Sequence, residues 1–328
     1  MAIGKKALII AGVLAVVIVA AVLALQNYPA QTPQSGAAQG KFRIVVNPGV
    51  AEKVSIKEAQ ELEKYLEDLM GMDVELSYPA SSAALIEALR FGHADAALGP
   101  GALVGALAVS LANAELVAVE YREVIIDGKR ETAPYYYSYF IVLKESPYVY
   151  IDELRGKRVC FPSETSVSGF IMPLKALADR GYITPGEVKR PRDLALQFFG
   201  DVVFGGGYAQ CWAALKEGKV DVTVMAGDVA ASLYWEAMNN SRVLKWKDGG
   251  YAIAGPNPSH VVLVRGDLPE DVKTKFVNAI FALNNKPELM RNYVSAIFVR
   301  FEQRDVNEHL KPLIDALDYL KIKEFYLR

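Results

Sequence analysis

Ala83-Ala84-Leu85-Ile86-Glu87-Ala88-Leu89-Arg90-Phe91-Gly92-His93-Ala94-Asp95-Ala96-Ala97-Leu98-Gly99-Pro100 decides how this chain is read. It runs as a helix, a glycine stop, an aspartate, a short apolar strand and a Gly-Pro loop. The same order returns further on. A helix follows Gly205-Gly206-Gly207-Tyr208 and stops at Gly218, and Asp221 stands within the apolar strand Val220 to Met225, which leads to Gly227-Asp228. In both copies two residues separate the glycine from the aspartate.

Working outward, Val54 to Met70 carries Ile56, Ala59, Leu62, Leu66 and Leu69 at helical spacing, Gly71 stops it, and Val74-Glu75-Leu76 reads as a strand. Glu115 to Ile126 alternates and ends in the Asp127-Gly128 turn, which predicts a hairpin. Tyr135 to Leu143 reads as a long aromatic strand. Strands alternating with helices predict parallel α/β sheets, which place ligands at the carboxyl ends of their strands. Glu270 to Leu283 and Val306 to Tyr319 have the amphipathic spacing of helices that cover a sheet.

At 328 residues, 52% hydrophobic and 23% charged, the chain can bury two ordinary cores. A net charge of -2 and a pI near 6.0 offer nucleic acid no general attraction. Any anion must be captured locally. Lys5-Lys6 precedes the apolar run Ala7 to Leu25, long enough for one transmembrane helix, and the positive flank keeps its start cytoplasmic and the rest outside. Residues 1–25 are therefore an anchor or a signal segment, with the retained anchor preferred to cleavage near Ala24. Residues 26–40, with Pro29, Pro33, Ser35 and Gly36, read as a flexible linker.

The chemistry concentrates in Cys160-Phe161-Pro162-Ser163-Glu164-Thr165-Ser166-Val167-Ser168-Gly169, where an apolar strand ends in hydroxyls just before a helix. Ser166 or Ser168 is either an ordinary N-cap or part of a backbone cradle for an oxyanion. Catalytic patterns are missing. His93, His260 and His309 are isolated, and neither HExxH, paired CxxC nor Gly-x-Ser-x-Gly occurs. Gly205-Gly206-Gly207 lacks the Lys-Ser/Thr of a P-loop. No enzyme activity, cofactor or metal is expected.

Ser166-x-Ser168-Gly169 followed by Pro173, then Gly206-Gly207-Tyr208, then Leu215-x-x-Gly218-x-Val220-Asp221, with Phe42 to Gly49 as an opening strand and loop, resembles the extracytoplasmic phosphate, phosphite and phosphonate binding proteins of ABC importers. The likeness runs from about Phe42 to Leu268. It implies an α/β, two-lobed, periplasmic-binding-protein-like (Venus flytrap) fold of type II with two hinge strands, Tyr137 to Leu143 and Ser259 to Val264. Lobe 1 is then residues 41–143, lobe 2 residues 144–258, and residues 259–328 complete lobe 1 with C-terminal helices.

The function implied is a substrate-binding protein that captures a small phosphate-like or phosphonate-like oxyanion in an interlobe cleft and serves an ABC permease, without nucleic acid, from a single-pass membrane anchor. The alternative is a membrane-anchored ligand sensor or surface-structural protein on the same scaffold. Ser166, Ser168 and Gly169 match the oxyanion loop. Val167 stands where the family commonly has Thr, so Thr165 is the candidate replacement donor.

Tyr208 takes the place of a family His, and Asp228 that of an acid that pairs with a ligand ammonium. Asn257 stands where relatives often have a second Asp. Val50-Ala51 and Ala102-Leu103 replace aromatics, which implies a roomier, more aliphatic first wall. Cys160 and Cys211 are either a disulfide in an oxidising compartment or two small buried hydrophobes. Asn239 heads a glycosylation sequon.

Overall fold

The computed structural model describes residues 41–47 and 56–326; the apolar run and the linker lie outside them. Among the described residues, strands numbered along the chain are β1 (Lys41–Val46), β2 (Asp73–Ser77), β3 (Ala96–Leu98), β4 (Ala114–Ile126), β5 (Lys129–Ala133), β6 (Tyr135–Leu143), β7 (Arg158–Phe161), β8 (Asp201–Phe204), β9 (Val222–Ala226), β10 (Ser241–Val243), β11 (Ile253–Pro258), β12 (Val261–Arg265) and β13 (Phe298–Glu302). They form two sheets: a seven-stranded one in the order β13-β4-β12-β3-β1-β2 with β5 on β4, and a six-stranded one in the order β10-β6-β9-β7-β8 with β11 on β6.

Both sheets are mixed, which corrects the expectation of parallel sheets. Strands joined through a helix run parallel: β1 with β2 and β3, and β7 with β8 and β9. Strands near the crossings run antiparallel: β12 against β3 and β4, and β6 against β9 and β11.

The repeated glycine-aspartate pattern has one physical explanation in both sheets. Gly92 and Gly218 take positive φ, 70° and 67°, where the helix must turn back into a strand. The aspartate then grips the start of a neighbouring parallel strand. Asp95 accepts from the Arg43 N–H at 2.9 Å and from its Nε at 3.2 Å; Asp221 accepts from the Arg158 N–H at 2.9 Å and from its Nε at 3.0 Å. Each carboxylate therefore fixes both the backbone and the side chain of the strand beside it.

On the helix Ile56–Met70, Ala59, Leu62, Leu66 and Met70 are buried, while Leu69 is 43% exposed. The four-residue step from Leu66 leads to Met70, so the core stripe departs from the expected Leu69 at its last turn.

The chain passes between sheets at two places, after β5 and after β11. The crossings lie side by side, because the Ser259 N–H donates to the Pro134 carbonyl at 2.9 Å. Tyr135 to Leu143 belongs wholly to the second sheet, bonded to β9, β10 and β11, so the second sheet starts earlier than the expected boundary at 143. Tyr139, Phe140, Ile141 and Val142 are buried on both faces of that strand, as a central position requires.

The C-terminal helix Val306–Leu320 touches both lobes. It packs against the helix Ala102–Leu111 of the first lobe and the helix Met172–Asp179 of the second, and one core holds Leu103, Leu107, Leu174, Leu177, Leu313 and Leu317. A cleft of about 460 Å³ opens between the lobes above the carboxyl ends of β1, β3 and β7.

Candidate functional site

β7 ends at Phe161, and the hydroxyl loop carries the chain into a π-helical turn, Val167–Ile171, that continues as the helix Met172–Asp179. Ser166 is the N-cap: its Oγ accepts from the Gly169 N–H at 3.0 Å. Pro173 sits where a helix tolerates it, near its first turn. The first N–H groups of a helix lack intrahelical acceptors, and with Gly169 satisfied by Ser166, those of Val167 and Ser168 remain as donors at the cleft. Capping and cradle are thus compatible, since a hydroxyl that accepts from Gly169 still has a hydrogen to donate.

Ser168, 4% exposed, lies at the centre of a hydroxyl chain. The Tyr136 phenol donates to its Oγ at 3.2 Å, and its Oγ lies 2.7 Å from the Tyr208 phenol oxygen. Burial raises both phenols well above the ordinary tyrosine range, Tyr136 and Tyr208 alike, with Asp228 adding to it. They stay neutral and can serve as donors at any physiological pH. Thr165 lines the same cleft, its Oγ1 3.3 Å from the Ser163 hydroxyl. Val167 lines it as well, whereas Gly169 is set behind the loop, where a Cβ would come within 2.6 Å of the Pro162 ring.

Asp228 reaches the cleft from the loop after β9, and it is already paired. Arg122, on β4 of the other sheet, donates from Nη1 to its Oδ2 at 3.1 Å; the two side chains are 8% and 14% exposed. Arg122 also lies beside Glu120, with Nε 3.6 Å from Oε2. Glu120 is fully buried, and loss of hydration pushes its carboxyl up to about 7 despite the opposing pull of Arg122. Burial likewise raises Asp228, opposed by Arg122 and by the Tyr136 phenol. His260 borders the cleft with its pKa held well below the ordinary value by burial, and Arg122 adds to this. Its imidazole is neutral.

The remaining wall comes from the first lobe and is mostly apolar, with Ile86, Ala102, Leu103, Val104 and Leu107 beside the polar Asn47 and Ser82. Among the described residues, which leave out Val50-Ala51 with the rest of residues 48–55, no lysine or arginine lines the cleft. An anion in this cleft would be held by hydroxyls and backbone N–H groups near a helix start.

Residues 44–310 match the family described as ABC transporter, phosphonate, periplasmic substrate-binding protein. The chain belongs to this family. It is a substrate-binding protein of the phosphonate-transporter class, extracytoplasmic and without enzymatic chemistry. Solved structures share its fold at low identity. XAC2383 from Xanthomonas citri, bound to ATP, is 14% identical with a TM-score of 0.65, covering 86% of this chain and 98% of its own.

PhnD1 from Prochlorococcus marinus, in complex with methylphosphonate, is 17% identical with a TM-score of 0.59, covering 86% and 99%. The binding-protein component PA3383 of an ABC phosphonate transporter from Pseudomonas aeruginosa is 17% identical with a TM-score of 0.58, covering 88% and 89%.

Of the expected site residues of this phosphonate-binding chain, Thr165, Ser166, Val167, Ser168, Tyr208 and Asp228 share one cleft. Asn257 does not line it. The side chain is fully buried at a bulge in β11, and its Nδ2 donates to the Tyr136 carbonyl at 3.1 Å and the Ala254 carbonyl at 3.3 Å. The bulge turns the amide inward, onto the strand that carries Tyr136.

Cys160 and Cys211 form a disulfide beneath the loop, and Gly205 passes so close that a Cβ there would meet their sulfurs at 3.0 and 2.8 Å. Asn239 is exposed in the last turn of the helix Ala231–Asn240. Tyr136, His260 and Arg122 were not singled out from the sequence as site residues, and neither was Tyr326, which lines the cleft and donates to the Glu164 carbonyl at 2.7 Å.

Proposed function

We propose that the interlobe cleft captures a phosphonate-type oxyanion and that closure presents it to an ABC permease. The oxygens accept from the Ser166 hydroxyl, from the N–H groups of Val167 and Ser168, and from the Tyr208 phenol, to which the Ser168 hydroxyl donates in turn; Thr165 closes the rim. The observation that supports this most is the Tyr136–Ser168–Tyr208 hydroxyl chain at a helix start in the cleft. Such a chain polarises towards bound negative charge, and neutral donors hold an anion without adding a cation that would retain it too tightly for release.

The complex of the Prochlorococcus relative with methylphosphonate is consistent with that head group. Closure shifts a pre-existing population of lobe arrangements about the paired crossings at Pro134 and Ser259. We also propose that Ala7 to Leu25 is retained as a single membrane anchor, supported by its length and the preceding Lys5-Lys6.

Titration calorimetry of the full chain with methylphosphonate, phosphate and sulfate tests the head-group reading. Saturable binding of methylphosphonate that is lost in Ser168→Ala is the expected result. Binding of none of the three by folded protein would overturn it.

A further inference from the structure

The cleft is larger and more apolar on one side than a bare phosphonate head requires, and the one acidic side chain among its described lining residues, Asp228, is already paired. These two observations are independent. On the first-lobe wall, Ile86, Ala102, Leu103, Val104 and Leu107 present aliphatic side chains to the cleft, with Asn47, Ser82 and His260 also lining it. The helix Ala102–Leu111 carries only one polar side chain, Ser110, and that hydroxyl donates back to the Ala106 carbonyl at 2.9 Å. A volume of about 460 Å³ is that of a small-molecule pocket, and a phosphonate head with a methyl group would leave most of the wall facing water.

On the second-lobe side, a ligand ammonium would need a carboxylate free to pair with it. Asp228 is instead engaged by Arg122 at 3.1 Å, and Arg122 stands between the cleft acid and Glu120. An incoming ammonium would meet the same guanidinium that holds the acid. It would lose hydration without a free partner, which is unfavourable in a closed cleft. Among the described residues, no other acidic side chain lines the cavity.

We infer that the ligand is an uncharged-tail alkylphosphonate, with an aliphatic chain of several carbons lying on the Ile86–Leu107 wall, and that an aminoalkylphosphonate of the same length is rejected. The inference rests on the phosphonate reading of the head-group site and narrows it to a substrate class. Each methylene moved from water onto the wall adds roughly a fourfold gain in affinity until the wall is covered.

The test is calorimetry of the full chain against methyl-, ethyl-, propyl- and pentylphosphonate, with 2-aminoethylphosphonate set against propylphosphonate as a near-isosteric pair. Expected is a stepwise rise of roughly fourfold per methylene, with the amine at least about tenfold weaker than propylphosphonate. Val104→Asn, which puts an uncharged amide on the aliphatic wall, should reduce the gain per methylene relative to wild type across the same series. Methylphosphonate binding with a flat series, or an amine that binds better than propylphosphonate, overturns this inference and leaves the head-group reading standing. Failure of every phosphonate, the methyl compound included, overturns both.

Discussion

Arg122, on a strand of the first sheet, and Asp228, in the loop after a strand of the second, meet at 3.1 Å beside the ligand cleft, so the acid of the site is answered by a cation from the opposite lobe. Asp228→Asn releases that guanidinium towards the ligand and removes a negative charge near a dianion. Methylphosphonate affinity should rise by about five- to tenfold at low salt, roughly 1 kcal/mol. The melting temperature should fall as well, because breaking a buried pair costs about 3 kcal/mol. Calorimetry and thermal melts read the two effects separately. Loss of methylphosphonate binding in the variant would instead make Asp228 a direct ligand contact.

Ser168 and Ser166 are expected to differ. Ser168→Ala removes the middle of the hydroxyl chain and leaves the Tyr136 phenol only Asp228 as acceptor, so affinity should fall by about 1.5–3 kcal/mol and stability by about 1 kcal/mol. Ser166→Ala also removes the N-cap, adding about 1 kcal/mol of stability loss. Equal affinities for wild type and both variants would leave these serines with a purely structural part.

The pH dependence has a sign that follows from Glu120. Its carboxyl is raised to about 7 in the folded chain, above its unfolded value, so the native state holds the proton more tightly. That contribution is fully present below the unfolded value and is lost as pH rises through about 7. Glu120→Gln does not titrate, so its melting temperature relative to wild type should climb between pH 5 and pH 8, by an amount equivalent to about 3 kcal/mol. His309 has the opposite sign, lowered by burial to about 4, and contributes stability that grows as pH rises towards 6.5 in wild type and variant alike. A pH-independent difference between the two proteins would show that Glu120 stays charged throughout.

Reduction should loosen the floor of the anion loop. The Cys160–Cys211 bridge spans 51 residues, for which loop-closure entropy gives about 4 kcal/mol. A Cys160→Ala, Cys211→Ala double variant should melt well below wild type, and dithiothreitol should lower wild type towards it. Identical melts with and without reductant would mean that the bridge does not form in solution.

The anchor is testable by fractionation. The full chain should sediment with membranes after a carbonate wash, and a chain beginning at Lys41 should remain in the supernatant. Recovery of a mature N-terminus near Gln26 would establish cleavage instead.

Local chemistry was the legible part. Gly92-x-x-Asp95 and Gly218-x-x-Asp221 announced helix, turn and strand because each pattern is complete within a few residues. The same pattern could not show that Asp95 grips Arg43 or Asp221 grips Arg158, since those partners come from strands far along the chain. The hydroxyl loop was readable as a helix start, and Tyr208 and Asp228 through family likeness.

Arg122 was hidden, because its partner is 106 residues away. Tyr136 was concealed by its neighbours. Alternation marks Tyr135 to Leu143 as a strand without saying which face meets the cleft, and only Tyr136 reaches Ser168. Asn257 holds its expected place in the order of the chain, yet a register shift in β11 turns its amide away from the cleft.

The interleaving of the two sheets also dictates an order of assembly. All strands of the second sheet lie within residues 135–258, one unbroken stretch, whereas the first sheet needs β12 between β3 and β4, and β13 beyond them. As the polypeptide is synthesised and exported from its N-terminus, β3 and β4 emerge long before the strand that must separate them. The inserted lobe is therefore the first to mature, and it can oxidise its cysteine pair while the surrounding lobe is still incomplete. Until Val261–Arg265 arrive, the earlier strands carry unpaired edges, the interval in which pairing with a wrong strand is easiest.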